Sequence, residues 1–170
     1  VLIYGLPHVQ PEQHALLRPA VSGSDPQAPV AILGAGTGLG VAIGVPTTAG
    51  LKAMASEASH AEFAPRSEAE WQLKCWLKED LQLERVSIER VVSGTGLGEV
   101  MRWLLATDPR GTGHPLADVD NSDRPAATAN AAAAGEPLAR CAMDLWLGAY
   151  GSTAGDLALQ TLCSGGLWVG

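Results

Sequence analysis

Cysteine is scarce in this sequence, and what there is stands unpaired. Cys75, Cys141 and Cys163 lie far apart, none sits in a Cys-x-x-Cys pair, and the count is odd. A disulfide framework and a thiolate metal site are therefore set aside, and a reduced, cytoplasmic setting with the thiols as buried packing groups is expected. Basic stretches are lacking too. Eighteen Asp and Glu outnumber eleven Lys and Arg, the net charge is −7, and no basic stripe occurs, so a nucleic-acid partner is not expected. No uncharged stretch reaches membrane length, because Arg140, Asp144 and Asp156 interrupt the longest apolar region; no membrane partner is expected. The opening "VLIYGLPHV" has no initiator Met, and its apolar run lacks the length and basic front of a signal sequence. The closing "GGLWVG" reads as a strand cut off part way. The expectation is a piece of a longer soluble protein.

What is present is a folding composition. The 170 residues are 46% hydrophobic and 17% charged, enough for one domain with a proper core. Residues 1–29 read as a connecting segment with one short helix around Glu12 to Leu17. "APVAILG", "VAIGV" and "GLKAMASE" then read as three short strands separated by glycine turns, an antiparallel meander. Ser67 and Glu70 form a capping-box pattern after Pro65, and Leu73, Trp76, Leu77 and Leu81 follow at helical spacing. "RVSIERVVSG" reads as a strand or short irregular segment, "EVMRWLLA" as a helix, and 107–124 as a loop. The alanine-rich "PAATANAAAA" suits a short helix between a proline and Gly135, and Pro137 opens a further helix to about Leu162. Strands followed mostly by helices point to an α/β or α+β layered domain, a mixed sheet packed by helices.

The pentapeptide "GTGLG" occurs twice, at 36–40 and 94–98. The first copy lies between apolar β-type runs, and its alternating glycines allow consecutive backbone N–H groups to approach one anion, with Thr37 adding a hydroxyl. It is neither the dinucleotide fingerprint nor a Walker loop: position 39 is Leu, and no Gly-Lys-Ser/Thr follows. By pattern alone, a phosphate hairpin and a glycine hairpin without ligand both stay open. The second copy leads into a helix, and Glu99 at that end is expected to satisfy the helix dipole. Its preferred role is to turn the chain.

Between the copies, "SEASHAEFAPR" sets Glu57 and His60 three residues apart in a loop after a strand. A carboxylate and an imidazole together suit vicinal hydroxyls, since one accepts and the other donates or accepts. His60-Ala-Glu62 resembles part of a zinc-deaminase signature, but the Pro-Cys-x-x-Cys it needs is absent. Taken alone, a solvated polar loop is the preferred reading. "ADVDNSD" fails as a calcium loop, because its sixth position is Asp123 and its twelfth is Ala129. His8, His14 and His114 are assigned to the surface.

Taken in order, "GAGTGLGVA", "SEASHAEFAPRSEAE", "SIERVVSGTGLG", "AYGSTAGDLAL" and "GGLWVG" resemble the bacterial glucokinases over about Val30 to Gly170. The resemblance implies a ribonuclease H-like, actin-like ATPase fold whose two domains close over sugar and nucleotide. Residues 30–170 would be most of the large domain, truncated at its C-terminus, and 1–29 the segment connecting it to a small domain. The implied activity is transfer of the ATP γ-phosphate, with Mg²⁺ accompanying the nucleotide, to the 6-hydroxyl of glucose. By the same resemblance, Gly36, Thr37 and Gly38 lie nearest the phosphates, and Glu57, His60 and Glu89 hold glucose hydroxyls. Gly165 and Gly166 begin the adenosine motif. A homodimer is compatible with it.

Three parts of the family pattern are not in these residues: the first phosphate loop Asp-x-Gly-Gly-Thr, the Asn-Asp pair that carries the general base, and the rest of the adenosine motif. No catalytic residue is therefore assigned, the base being expected upstream of Val1, and these 170 residues alone are expected to be inactive. The sugar loop reads "SEASH" where the family reads Gly-Glu-Gly-Gly-His. If either replaced glycine needs a positive φ, Ala58 or Ser59 costs about 1 kcal/mol or more there. The competing reading is a sugar-binding protein of the same fold without kinase activity.

Overall fold

The computed structural model describes residues 2–18 and 23–170. Part of the connecting segment expected over 1–29 thus lies outside the described residues. The chain divides into two compact units, one comprising Val1–Gly34, Gly40–Ala58 and Ala154–Gly170, the other Ala35–Leu39 and Ser59–Thr153.

The first unit is built on a sheet. A single helical turn, Leu2–Gly5 (α1), is followed by Val30–Ala35 (β1), Leu39–Thr47 (β2) and Gly50–Ala55 (β3), and near the end of the chain by Gly166–Val169 (β4). The strand order is β3-β2-β1-β4. β2 and β3 are antiparallel, and their turn is closed by Gly50 at φ +103° and a hydrogen bond from Thr47 Oγ1 to Gly50 O. β4 runs parallel to β1, with Val30 opposite Gly166 and Leu33 opposite Val169. The sheet is therefore mixed, and it recruits the last strand beside the first. That parallel pairing needs a long connection, which no local signal in "GGLWVG" announces. The core of this unit gathers Ile3, Val30 and Ile32, with Leu6, Ala42, Leu51, Ala53 and Trp168 packed against them. Gly44 makes this possible. A β-carbon there would lie 2.7 Å from Val30 Cγ2 and 2.9 Å from Ile3 Cγ2. The helix expected around Glu12–Leu17 is not formed. Pro11–Gln13 makes one 3₁₀ turn, and Leu16 and Leu17 are exposed, so no apolar face is buried to sustain a helix.

The second unit holds the helices Glu68–Asp80 (α2), Gly94–Thr107 (α3), Arg124–Ala133 (α4) and the first two-thirds of Pro137–Thr161 (α5). Ser67 caps α2 as its sequence predicts, its Oγ accepting from Glu70 N at 3.2 Å. The other half of the box is shifted by one residue: buried Glu70 accepts from Arg66 N at 2.6 Å and pairs with the Arg66 guanidinium. Leu73 and Leu77 are fully buried, while Trp76 lies under the Arg102 guanidinium at 5.1 Å. α2 and α4 both pack on α3, which buries Leu97, Val100, Met101 and Leu104. The segment "RVSIERVVSG" forms an antiparallel bridge, Glu62 to Ser87, and then a 3₁₀ turn, Ile88–Arg90.

Two sequence expectations fail on burial. Cys75 and Cys141 are exposed; only Cys163 is buried. His114 is not a surface group: its Nδ1 accepts from Leu116 N at 3.1 Å, which leaves Nε2 to donate to Glu136 Oε1 at 3.3 Å. No described helix is long and apolar enough to cross a membrane.

Candidate functional site

The tip of the β1–β2 hairpin, Ala35–Leu39, belongs to the second unit, and there the two copies of "GTGLG" meet. Gly94 N donates to Gly36 O at 2.7 Å, and Thr95 donates to Thr37 O from its N at 3.4 Å and its Oγ1 at 3.0 Å. The second copy is therefore not a turn ahead of a helix. It forms the first turn of α3, capped by Ser93, whose Oγ accepts from Gly96 N at 2.9 Å. The first N–H groups of α3 are thus taken by the hairpin and the cap. Glu99 sits a turn further along, 3.4 Å from Arg102, and plays no part at the helix end. The strings match in sequence but not in structure: one is the hairpin tip, the other the brace that holds it.

The brace orients the tip. No peptide bond among the described residues is cis. In a trans peptide the C=O and the following N–H point opposite ways. With Gly36 O and Thr37 O turned onto α3, the N–H groups of Thr37 and Gly38 face away from it. The close fit explains the glycines. A β-carbon on Gly94 would lie 2.9 Å from Gly36 O, and one on Gly38 would lie 2.6 Å from Glu89 Oε2.

Glu89 also reaches the tip. Its Oε2 accepts from Leu39 N at 2.8 Å. Its own position follows from the Glu62–Ser87 bridge, flanked by Ile88 N to Ala61 O at 2.8 Å and Phe63 N to Val86 O at 2.9 Å. The bridge thus brings residues 61–63 alongside 86–88, next to the turn that carries Glu89. Glu57 follows β3 in the first unit and is exposed, as is His60. Ala58 and Ser59 lie in a 3₁₀ turn ending at His60, and neither has a positive φ. The two residues that replace family glycines are therefore unstrained. Gly165 and Gly166, in the first unit, have structural reasons to be glycine. A β-carbon on Gly165 would lie 2.6 Å from Ala28 O, and Gly166 has φ +142°.

Sequence reasoning missed Gly94 and Thr95 as supports of the hairpin. Nothing local to either string signals their contact.

This fold is shared with glucokinases of known structure. It matches the crystal structure of a glucokinase from an Antarctic psychrotroph with a TM-score of 0.78 and 26% identity, over 98% of this chain and 48% of that one. It also matches the glucokinase of Balamuthia mandrillaris, solved in complex with glucose, with a TM-score of 0.70 and 25% identity, over 87% of this chain and 40% of that one. The chain belongs to the glucokinase family, whose family model, Glucokinase, matches residues 1–170. Among curated relatives, the glucokinase of Synechocystis sp. is 43% identical over 159 residues, 85% of this chain and 45% of that protein. That of Nostoc punctiforme is 33% identical over 180 residues, 98% of this chain and 52% of that protein. The chain spans about half the length of the curated relatives it matches.

Proposed function

We propose that the protein carrying this chain transfers the γ-phosphoryl group of ATP to the 6-hydroxyl of glucose, giving glucose 6-phosphate and ADP. What supports the reading, beyond family membership, is that Glu89 is held against the hairpin tip through Leu39 N, while the Thr37 and Gly38 N–H groups of that tip face away from α3. The nucleotide, with its Mg²⁺, supplies the phosphoryl group. The backbone N–H groups of Thr37 and Gly38 hold phosphate oxygens, and Gly36 lets the backbone approach them closely. Glu57, His60 and Glu89 take sugar hydroxyls, the carboxylates accepting and the imidazole donating or accepting. Fixing the sugar this way orients the 6-hydroxyl for in-line attack. Gly165 and Gly166 contact the adenosine.

No residue of the 170 is assigned the base that takes the hydroxyl proton, so the chain alone is proposed to be inactive. Residues 30–170 serve as most of the large domain of a ribonuclease H-like, actin-like ATPase fold, with 1–29 connecting to a second domain. The same reading puts the protein in the cytoplasm, at the start of glycolysis, and admits a homodimer. The comparisons do not favour a sugar-binding protein without kinase activity.

The test uses a full-length protein containing this chain. Glu57→Gln and His60→Ala should each raise the glucose KM about ten- to a hundred-fold, the range for losing a charge-assisted hydrogen bond. An unchanged KM in both removes the assignment.

A further inference from the structure

We propose that Glu89 is a positioning residue for the phosphate hairpin, and that sugar and nucleotide binding are coupled through its carboxylate. The proposal rests on the reading of the site given above. A residue serving only as a sugar ligand needs no contact with the hairpin. Glu89 makes one: Oε2 accepts from Leu39 N at 2.8 Å and occupies the space that any side chain at position 38 would need, 2.6 Å from its β-carbon. One carboxylate oxygen, Oε2, holds the hairpin, and the other, Oε1, is the one that takes a ligand hydroxyl in this proposal.

The backbone beneath Glu89 is held tightly. Ile88 N donates to Ala61 O at 2.8 Å, Val92 N to Ile88 O at 2.7 Å, and Ser93 Oγ to Glu89 O at 2.7 Å. Ser93 also caps α3, whose first two residues hold Gly36 O and Thr37 O. The hairpin tip is therefore held at Gly36, Thr37 and Leu39 by one short stretch, residues 89–95. Within that stretch, the Glu89 side chain is the part that a sugar would touch. A hydroxyl bound to Oε1 fixes the plane of the carboxylate and with it the acceptor for Leu39 N. The nucleotide then meets a hairpin that is already ordered and loses less freedom on binding, which makes the coupling positive and reciprocal.

The experiment measures the Kd of a non-hydrolysable ATP analogue with Mg²⁺ by titration calorimetry, in the full-length protein, with and without saturating glucose. Glu89→Ala removes the acceptor, and Glu89→Asp withdraws it by one methylene while keeping the charge. Both should weaken nucleotide binding without sugar by about five- to ten-fold and bring the ratio of the two Kd values towards one. Glu89→Gln retains an acceptor for Leu39 N and should restore sugar-free nucleotide affinity to within about two-fold. His60→Ala should weaken glucose alone and leave sugar-free nucleotide affinity unchanged. Thermal melts report folding, and Glu89→Asp carries the comparison if Glu89→Ala does not fold. Wild-type nucleotide affinity in both Ala and Asp variants overturns the proposal and leaves Glu89 a sugar ligand only, with the kinase reading intact. A Gln variant as weak as the Ala variant also overturns it. A wild-type protein that binds no nucleotide overturns the kinase reading as well.

Discussion

Gly96→Ala pits helix propensity against tertiary contact. Gly96 lies in the first turn of α3, and alanine in a helix is favoured over glycine by about 1 kcal/mol. Judged by propensity alone, the substitution stabilises. The surroundings reverse that sign. The added β-carbon would lie 2.2 Å from Val91 O, 2.5 Å from its carbonyl carbon and 3.0 Å from its Cα. All three are backbone atoms of a buried residue, so no rotamer change relieves the overlap. The first turn of α3 must move, which breaks the Ser93 cap on Gly96 N, and losing a cap costs about 1 kcal/mol. Overpacking adds roughly 1–3 kcal/mol. The net expectation is a destabilisation of about 2 kcal/mol. Gly155→Ala in α5 is the control, because its β-carbon would meet nothing within 4 Å; it should stabilise by about 0.5–1 kcal/mol. Urea denaturation of the wild type and both variants, read as midpoint shifts at constant slope, measures each effect. A Gly96→Ala protein as stable as Gly155→Ala would refute the reasoning.

The other glycines of the pair report on the nucleotide. Gly38→Val must displace Glu89 Oε2 from 2.6 Å and should raise the ATP KM at least about ten-fold or abolish turnover in the full-length enzyme; normal ATP kinetics would show that the tip does not face the phosphates. The acid limb of stability should depend on Glu136. Burial alone would push its carboxyl up, but hydrogen bonds from Leu138 N and Ala139 N, and from His114, outweigh burial and hold it below its ordinary 4.5. A group depressed in the folded state stabilises fully above the unfolded pKa and loses that contribution as pH falls through the folded value. The wild type should therefore exceed Glu136→Gln in unfolding free energy from urea denaturation at pH 7, by no more than about 1 kcal/mol. The gap should close below about pH 4.5, where the unfolded chain takes up its proton. A gap that persists unchanged at pH 3 would refute the assignment.

Much of the local structure was legible in the chain. The run "VAIL" became β1 because continuous apolar residues suit a strand buried on both faces. Ser67 and Pro137 mark helix starts because capping chemistry acts within three or four residues. The Thr47–Gly50 turn follows from a glycine that adopts φ +103°. The ordered motifs also gave the family. Sequence reasoning failed where burial decides. The helix expected at Glu12–Leu17 found nothing to bury against, and His114 was drawn inward by Leu116 N and Glu136.

Above all, the two "GTGLG" strings have the same intrinsic propensities and adopt different structures. One tops a hairpin between strands; the other lies behind the Ser93 cap and ahead of a run that buries Leu97, Val100, Met101 and Leu104. That they touch, across 58 residues, is visible only once the chain has packed. The same holds for Glu89 on Leu39 N, 50 residues away, and for β4 beside β1. Capping and periodicity are encoded in neighbours along the chain and can be read there. Contacts between distant segments are selected by the packing of whole elements, so the sequence names the residues of this site and only the tertiary structure decides which of them hold each other.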